Sequence, residues 1–165
     1  MKELLEKIDF NRGLRYLLFL FLTLTAQNMV LSHIHPLDVC PLILPAAAAA
    51  AGMFEGAVFG PVFSLLMGYF ADMSFVENTV FFLLLLPLLS LLSAFVSQFF
   101  INRRFFAFMG ISAVALLITG ALQALKTLAG DMWSAELLRV AALQTLWSLP
   151  PSALAYFLPA KWSRA

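Results

Sequence analysis

The sequence predicts an all-α, polytopic membrane protein with six transmembrane helices in one bundle. Of its 165 residues, 62% are hydrophobic and only 12% are charged, whereas a soluble domain carries roughly 25% charged residues. So few charges cannot cover a surface that faces water. The apolar residues also fall into segments that suit membrane crossing, for which a helix needs about 20 of them. The length fits a single integral membrane domain, residues 1–165.

Several classes of function are not expected. The net charge is only +1, and no nucleic-acid-binding motif is present, so we expect no nucleic-acid partner. The sequence contains no nucleophile-and-base set, phosphate loop or HExxH motif, and we therefore expect neither an enzyme nor a cofactor. His33, His35 and Asp38 have the side chains of a zinc site. They lie in a short loop without supporting polar groups, so we expect no metal.

Hydropathy divides the chain into six predicted spans. The first follows a charged N-terminus, as a signal peptide would, but its apolar run is longer than usual and no A-x-A-like cleavage site follows it. We therefore expect this segment to be retained as a transmembrane helix. The spans cover about 16–32, 39–54, 57–71, 79–100, 105–126 and 137–158.

Residues 39–71 are predicted to form two spans rather than one. A continuous helix would place Glu55 near the middle of the bilayer, at a cost of several kcal/mol, and Pro61 would interrupt its hydrogen bonds. Lys and Arg favour the cytoplasmic side. With six spans, Arg103 and Arg104 lie on that side together with both termini. A re-entrant hairpin over 39–71 gives the same parity and stays open as an alternative.

Small residues recur at every fourth position through the second and third spans. Helices in lipid associate by close backbone packing, and a small-xxx-small series is typical of such contacts. We therefore expect this stretch to form the packed centre of the bundle. The predicted helix-packing residues are Ala48, Gly52, Gly56, Gly60, Ser64 and Gly68.

Two acidic residues flank the third predicted span. Asp72 lies at its C-terminal end, where the helix dipole disfavours negative charge. It is expected to be solvated at the outer interface or paired with Lys126 or Arg139, the outer-side cations. Glu55 lies at the opposite end of the same span. We expect it to cap that helix, with contact to another protein as the alternative.

Amide side chains occur within four of the spans. In membranes such groups usually form hydrogen bonds between helices, worth about 0.6 kcal/mol each. We expect this role here, while a translocation path remains the alternative. The residues are Gln27, Gln98, Gln123 and Gln144.

Several residues in these spans also match the sequence pattern of a known family of membrane proteins. Gln27 ends the first span (LTLTAQ), Pro41 opens the second (VCPLILP), and the third reads GPVFSLLMGYFAD, with Gly60-Pro61, Gly68 and Asp72. With this pattern, the whole chain resembles the MreD family of bacterial rod-shape-determining membrane proteins.

The resemblance implies a non-enzymatic subunit of the cell-elongation complex in the bacterial plasma (inner) membrane. Its expected partner is MreC, a bitopic protein that links it to the elongation transpeptidase, the SEDS glycosyltransferase and MreB filaments. The implied fold is similar to the substrate-binding subunits of energy-coupling-factor transporters, six helices around a central pocket. The implied mechanism is docking of a partner's transmembrane helix on small-residue faces within the lipid bilayer.

That similarity of fold also supplies the alternative function. A substrate-binding subunit of a vitamin or metal transporter would need a polar pocket that opens to the outside. The glutamines and Asp72 could line one, although the sequence shows no dense polar cluster.

Overall fold

The computed structural model describes residues 10–33, 40–74, 81–99, 105–128 and 135–162, and these are helical except for segment 40–43, which has no regular secondary structure. The all-α prediction is confirmed for these residues. The helices are α1 (Phe10–Thr25), α2 (Leu44–Ser74), α3 (Phe81–Phe99), α4 (Phe105–Leu128) and α5 (Ala135–Trp162). A π-helical turn (Ala26–Val30) and a 3₁₀ turn (Leu31–His33) extend α1.

Four helical segments are long and apolar enough to cross a membrane. The sequence predicted six. Two segments account for the difference. The predicted second and third spans lie within one element, α2, and the predicted sixth span lies in α5, which is not among the four. The six crossings therefore stay a prediction, while the membrane character of the chain is supported by these four segments: Gly13–Val30, Leu44–Ser74, Phe81–Gln98 and Phe105–Gln123.

Helix α2 is broken at Gly56, next to the predicted interruption at Glu55. Gly56 has φ 83° and ψ −172°, outside the helical region. A Cβ placed on Gly60 would lie 2.6 Å from the Cα of Gly52, whereas residues eight apart in a continuous helix are separated by about 12 Å. The chain therefore reverses at Gly56. We call residues 44–55 the first arm and residues 57–74 the second arm.

The first arm fills the centre of the described bundle. Its six consecutive alanines, from Ala46 to Ala51, are completely inaccessible to solvent, and α3, α4 and α5 all contact α2. Small side chains allow neighbouring helices to approach this arm from several sides. The second arm differs because it buries only one face, which includes Gly60, Ser64 and Met67.

Side-chain contacts show which helix termini lie together at each of the two ends of the bundle. At the first, the Tyr16 hydroxyl of α1 contacts Glu55 beside the hairpin turn, and the Tyr16 ring lies 5.7 Å from that of Trp162 near the end of α5. We call this the Tyr16 end. At the other, the Gln27 end, the π-helical turn contacts the non-helical segment 40–43 that leads into α2.

Candidate functional site

The hairpin and α3 meet at a contact between backbones. A Cβ on Gly52 would overlap the carbonyl oxygen of Ser90. A Cβ on Gly60 would lie 2.8 Å from the Ser90 Oγ, and one on Gly68 would lie 2.8 Å from the Cα of Leu83. Because backbone atoms cannot withdraw as side chains can, these three glycines allow the helices to approach closely.

The other predicted packing residues divide into two groups. Ala48 and Ser64 are fully buried within the arms. Gly56 does not have the predicted packing role, because a Cβ there would meet nothing within 4 Å. Its φ of 83° lies in a region that side chains disfavour. Gly56 therefore allows the chain to reverse and does not contribute to helix packing. Pro61 lies within the second arm and is half-buried.

Asp72 binds the beginning of the next helix. Its Oδ1 accepts the backbone N–H of Phe82 at 3.0 Å, and its Oδ2 accepts that of Leu83 at 2.8 Å. Free N–H groups and the helix dipole both favour a carboxylate at this position.

The proposed ion pair of Asp72 is not present in the part of the chain that the structure describes. Arg139 is exposed at the start of α5, and the side chain of Lys126 lies outside the described residues. The sequence correctly indicated that a carboxylate at a helix C-terminus needs a partner. It suggested solvation at the outer interface or pairing with Lys126 or Arg139, and the partners that the structure describes are the backbone N–H groups at the start of α3.

Gln27 forms hydrogen bonds with the non-helical segment that precedes the hairpin. Its Nε2 donates to the carbonyl of Pro41 at 3.1 Å, and its Oε1 accepts the N–H of Ile43 at 2.9 Å. The side chain is 3% exposed. A buried backbone outside regular secondary structure needs partners for its polar groups, and this single amide supplies both a donor and an acceptor.

Helix α5 bonds the same segment from the other side, and we call the contacts of Gln27, Gln144 and Ser148 with residues 40–43 the polar clamp. The Ser148 Oγ accepts the N–H of Leu42 at 2.8 Å, and Gln144 Nε2 donates to the carbonyl of Cys40 at 3.3 Å. Residues 40–43 are thus bonded by side chains from two helices. Gln27 and Gln144 bond the backbone of segment 40–43, whereas the sequence predicted hydrogen bonds between helices for its amides.

The remaining polar residues from the sequence prediction are not brought to this clamp. Gln123 is half-buried in α4 and Gln98 is exposed in α3. His35 and Asp38 lie outside the described residues. Within the described ranges, no group of three His, Cys, Asp or Glu side chains is arranged to hold a metal ion.

Glu55 lies at the Tyr16 end, against α1. The Tyr16 hydroxyl donates to Glu55 Oε1 at 2.6 Å. The Tyr16 ring is 8% exposed and packs edge-on against Phe63 at 5.4 Å and Trp162 at 5.7 Å. The packed ring fixes the hydroxyl, and through it one oxygen of the carboxylate. The sequence had suggested helix capping or a protein contact for Glu55, not this tyrosine.

A long groove runs between α1 and the second arm. It has a volume of about 890 Å³ and reaches from Gly13 and Glu55 at the Tyr16 end to Asn28 and Ser74 at the other. The two helices touch along a stripe of α1 that includes Tyr16 and Thr23. The walls beside that stripe are apolar: Leu17, Phe21 and Met29 on α1, and Phe59, Val62 and Leu66 on the second arm.

Sequence reasoning missed three residues of these contacts. Tyr16 was detectable in principle, because the six-span topology already placed its hydroxyl at the same membrane face as Glu55. Ser90 was also detectable, since Ser90 and Ser93 form a small-residue face in an otherwise leucine-rich segment. The role of Ser148 could not be predicted from the sequence, because its partner is a backbone N–H more than 100 positions away.

Comparison with protein-family models, with curated proteins and with solved structures found no match. The functional conclusion therefore depends on the residues and geometry of this chain.

Proposed function

We propose that this protein is a non-enzymatic membrane subunit that receives a single transmembrane helix of a partner in the groove between α1 and the second arm. The residue pattern that resembles MreD suggests the rod-shape complex of a bacterial plasma membrane as the setting. The partner is then MreC, with the elongation transpeptidase, the SEDS glycosyltransferase and MreB reached through it.

The size of the groove is the observation that carries this proposal. The second arm of 18 residues rises about 27 Å, close to the 30 Å of a hydrocarbon core. A helix of that length and 10 Å diameter occupies roughly 2,100 Å³. The groove, about 890 Å³ in volume, has lining residues along the length of α1 and the second arm, and it can therefore seat one side of such a helix.

The residues that resemble the family pattern support the walls of this groove. Gln27 bonds Pro41, Gly60 meets the first arm, and Gly68 and Asp72 meet the start of α3. Each of these contacts fixes the hairpin, and with it the position of the second arm. A pattern made of such residues is consistent with a scaffold and contains no reactive group.

We also propose that the chain crosses the membrane six times with both termini in the cytoplasm. The Tyr16 end gathers the hairpin turn, the start of α1 and the end of α5, with Arg15 and Lys161 exposed there. Basic residues favour the cytoplasmic side. In a Cys40→Ser background, a cysteine at position 55 is expected to react only with reagents that reach the cytoplasm. Labelling from outside would contradict this topology.

A transporter subunit is the alternative function, and the structure supports it less well. It requires an enclosed polar pocket, whereas the centre of the described bundle is filled by the alanines of the first arm. The amides Gln27 and Gln144 already bond the chain's own backbone.

Co-purification separates the two functions. Tagged protein, extracted in mild detergent from cells that contain both MreC and an energy-coupling module, is expected to retain MreC. Retention of the energy-coupling transmembrane protein with its ATPases, without MreC, would contradict the proposal. Leu66→Trp, which fills the groove from one wall, is expected to release MreC while leaving the amount of folded protein unchanged.

A further inference from the structure

The outward face of α5 carries polar groups near the middle of the helix, where lipid offers them no partner. We infer that this face binds a second copy of the chain, and that the Trp147 indole N–H of each copy donates to a backbone carbonyl that Pro150 or Pro151 leaves free in the other. The inference goes beyond the proposed function, although it rests on the proposal that α5 crosses the membrane.

The exposed residues of α5 follow the spacing of a helix-pairing seam. Alternating steps of three and four residues are the pattern by which two helices pack side by side with a small crossing angle. We call the residues of α5 that follow these steps the α5 seam, and all of them are exposed or half-buried: Val140, Leu143, Trp147, Pro150, Leu154, Phe157 and Lys161. None of them lines the groove, so both surfaces can be occupied at once.

Two prolines leave backbone carbonyls beside the seam without their helical partners. In an α-helix a carbonyl accepts the N–H of the residue four positions later, and proline has no N–H. Pro150 and Pro151 lie inside α5, so the carbonyls of Leu146 and Trp147 lose this bond. Serine and threonine hydroxyls often replace it in membrane helices. Those that the structure describes on α5 instead bond the carbonyls of Ala141, Gln144 and Ser148.

Trp147 adds a hydrogen-bond donor to the same face. Its side chain is 42% exposed, and the described part of the chain contains no hydrogen bond to its indole N–H. Tryptophan usually lies at the membrane–water interface, whereas Trp147 lies near the middle of α5. Its neighbour Ser148 is buried and bonds Leu42, so Trp147 lies on the side of α5 that faces away from the bundle. Donor and acceptors are thus presented at one depth.

A second copy of the chain satisfies these groups, and lipid does not. The hydrocarbon core contains neither water nor hydrogen-bonding atoms, so the occupant must be a protein surface. Because the donor and the acceptors belong to adjacent residues, a two-fold axis along the membrane normal brings the indole of each copy to the carbonyls of the other. The contact is self-complementary and makes the same hydrogen bond twice, and we therefore choose a second copy over another protein. Lys161 ends the seam, and its long side chain reaches water at the membrane surface.

The first test measures self-association of the full chain in phosphatidylcholine vesicles. Copies that carry a donor or an acceptor fluorophore on an appended C-terminal tag are mixed, and energy transfer is followed as lipid is added. We expect transfer that falls with dilution and so gives a dissociation constant. Trp147→Phe keeps a ring and removes the N–H, and it should raise this constant about sevenfold because the same hydrogen bond is lost twice.

Two further variants sharpen this measurement. The double variant Pro150→Ala and Pro151→Ala returns an N–H to both carbonyls, and it should also weaken association. Trp162→Phe is the matched control, because the Trp162 ring packs on Tyr16 of its own chain, and it should leave the constant unchanged. Absence of energy transfer at every dilution would overturn the inference. An unchanged constant in both Trp147→Phe and the double proline variant would overturn it as well.

Crosslinking between copies locates the contact even if those variants fail to fold. In a Cys40→Ser background, Leu154→Cys in the seam should form a disulfide with its counterpart when an oxidant is added. Leu117→Cys on α4 should not, although the two leucines have similar exposure, 65% and 53%. Equal crosslinking at both positions would contradict the inference, as would crosslinks from position 154 only to a different protein in native membranes. Leu66→Trp fills the groove and should leave self-association unchanged, which separates this inference from the docking of MreC.

Discussion

The two arms of the α2 hairpin share one sequence pattern but lie in different surroundings. In the first arm, residues 44–54 are all buried. In the second arm, Gly60, Ser64 and Gly68 face the bundle, while Val62 is 60% exposed and Leu66 49% exposed. The first arm is closed on all sides, and the second presents a complete face outward.

This difference separates the structural role of small residues from the role of the surface behind them. Small-xxx-small spacing governs how closely backbones approach, and both arms use it for that purpose. The outward face of the second arm is needed for none of these contacts. It is therefore free to form the wall of a groove, and substitutions should affect the two faces independently.

The largest effect is expected from Gly52→Leu. The new side chain would collide with the carbonyl of Ser90, a backbone atom of α3. Overpacking of this kind costs about 3 kcal/mol or more when the backbone must move. The amount of folded protein extracted from membranes should fall several-fold. Gly110→Leu is the matched control, because nothing lies within 4 Å of a Cβ at Gly110. Equal accumulation of the two variants would contradict the close approach of the first arm to α3.

The next effect is expected from Gln27→Leu, which leaves the buried carbonyl of Pro41 and N–H of Ile43 without this partner. Unsatisfied buried groups make the loss about 2 kcal/mol. The unfolding midpoint in mild detergent should fall accordingly. Gln98→Leu makes the same chemical change at an exposed position of α3 and should leave the midpoint unchanged. A similar fall in both variants would rule out the clamp.

Asp72→Ala should destabilise the protein by about 1 kcal/mol, the usual cost of removing a helix cap. Thermal unfolding in detergent measures it, and Asp72→Asn should lose less stability than Asp72→Ala because one acceptor oxygen remains. Reversal of charge at Asp72 should not be rescued by reversal at Arg139. Rescue by that pairing would restore the ion-pair interpretation in place of the cap.

The smallest effect is expected at α3. Among the described residues, the Ser90 hydroxyl has no hydrogen-bond partner, so Ser90→Ala should change the free energy of unfolding by less than about 0.5 kcal/mol. The Ser93 hydroxyl donates to the carbonyl of Ala49 at 3.0 Å. Ser93→Ala should therefore cost more, by about 0.6 kcal/mol. The reverse order would contradict the hydrogen bonds at this contact.

Much of the hairpin could be predicted from local sequence. The spacing of Gly52, Gly60 and Gly68 indicated close packing, and Glu55 indicated a break in the helix near its true position at Gly56. These signals are local, because side-chain size and the cost of a charge in lipid act at the residue itself. The all-α class followed from composition for the same reason.

The partners of the polar residues could not be predicted in the same way. Asp72 bonds the backbone of α3, and Gln27 bonds the backbone of the non-helical segment 40–43. Backbone N–H groups occur at every residue other than proline, so no side chain in the sequence marks them as partners. The groove was also invisible to sequence, because it depends on the angle between α1 and the second arm rather than on any residue type.

The central claim is that the outward face of the second arm receives a partner helix, and site-specific photocrosslinking tests it most directly. A photoreactive amino acid is placed at Val62 in the groove or at Val114 on α4, two valines of similar exposure, 60% and 56%. With MreC co-expressed, we expect crosslinks to its transmembrane segment from position 62 and none from position 114. Crosslinks of equal yield from both positions, or from position 114 alone, would contradict the account.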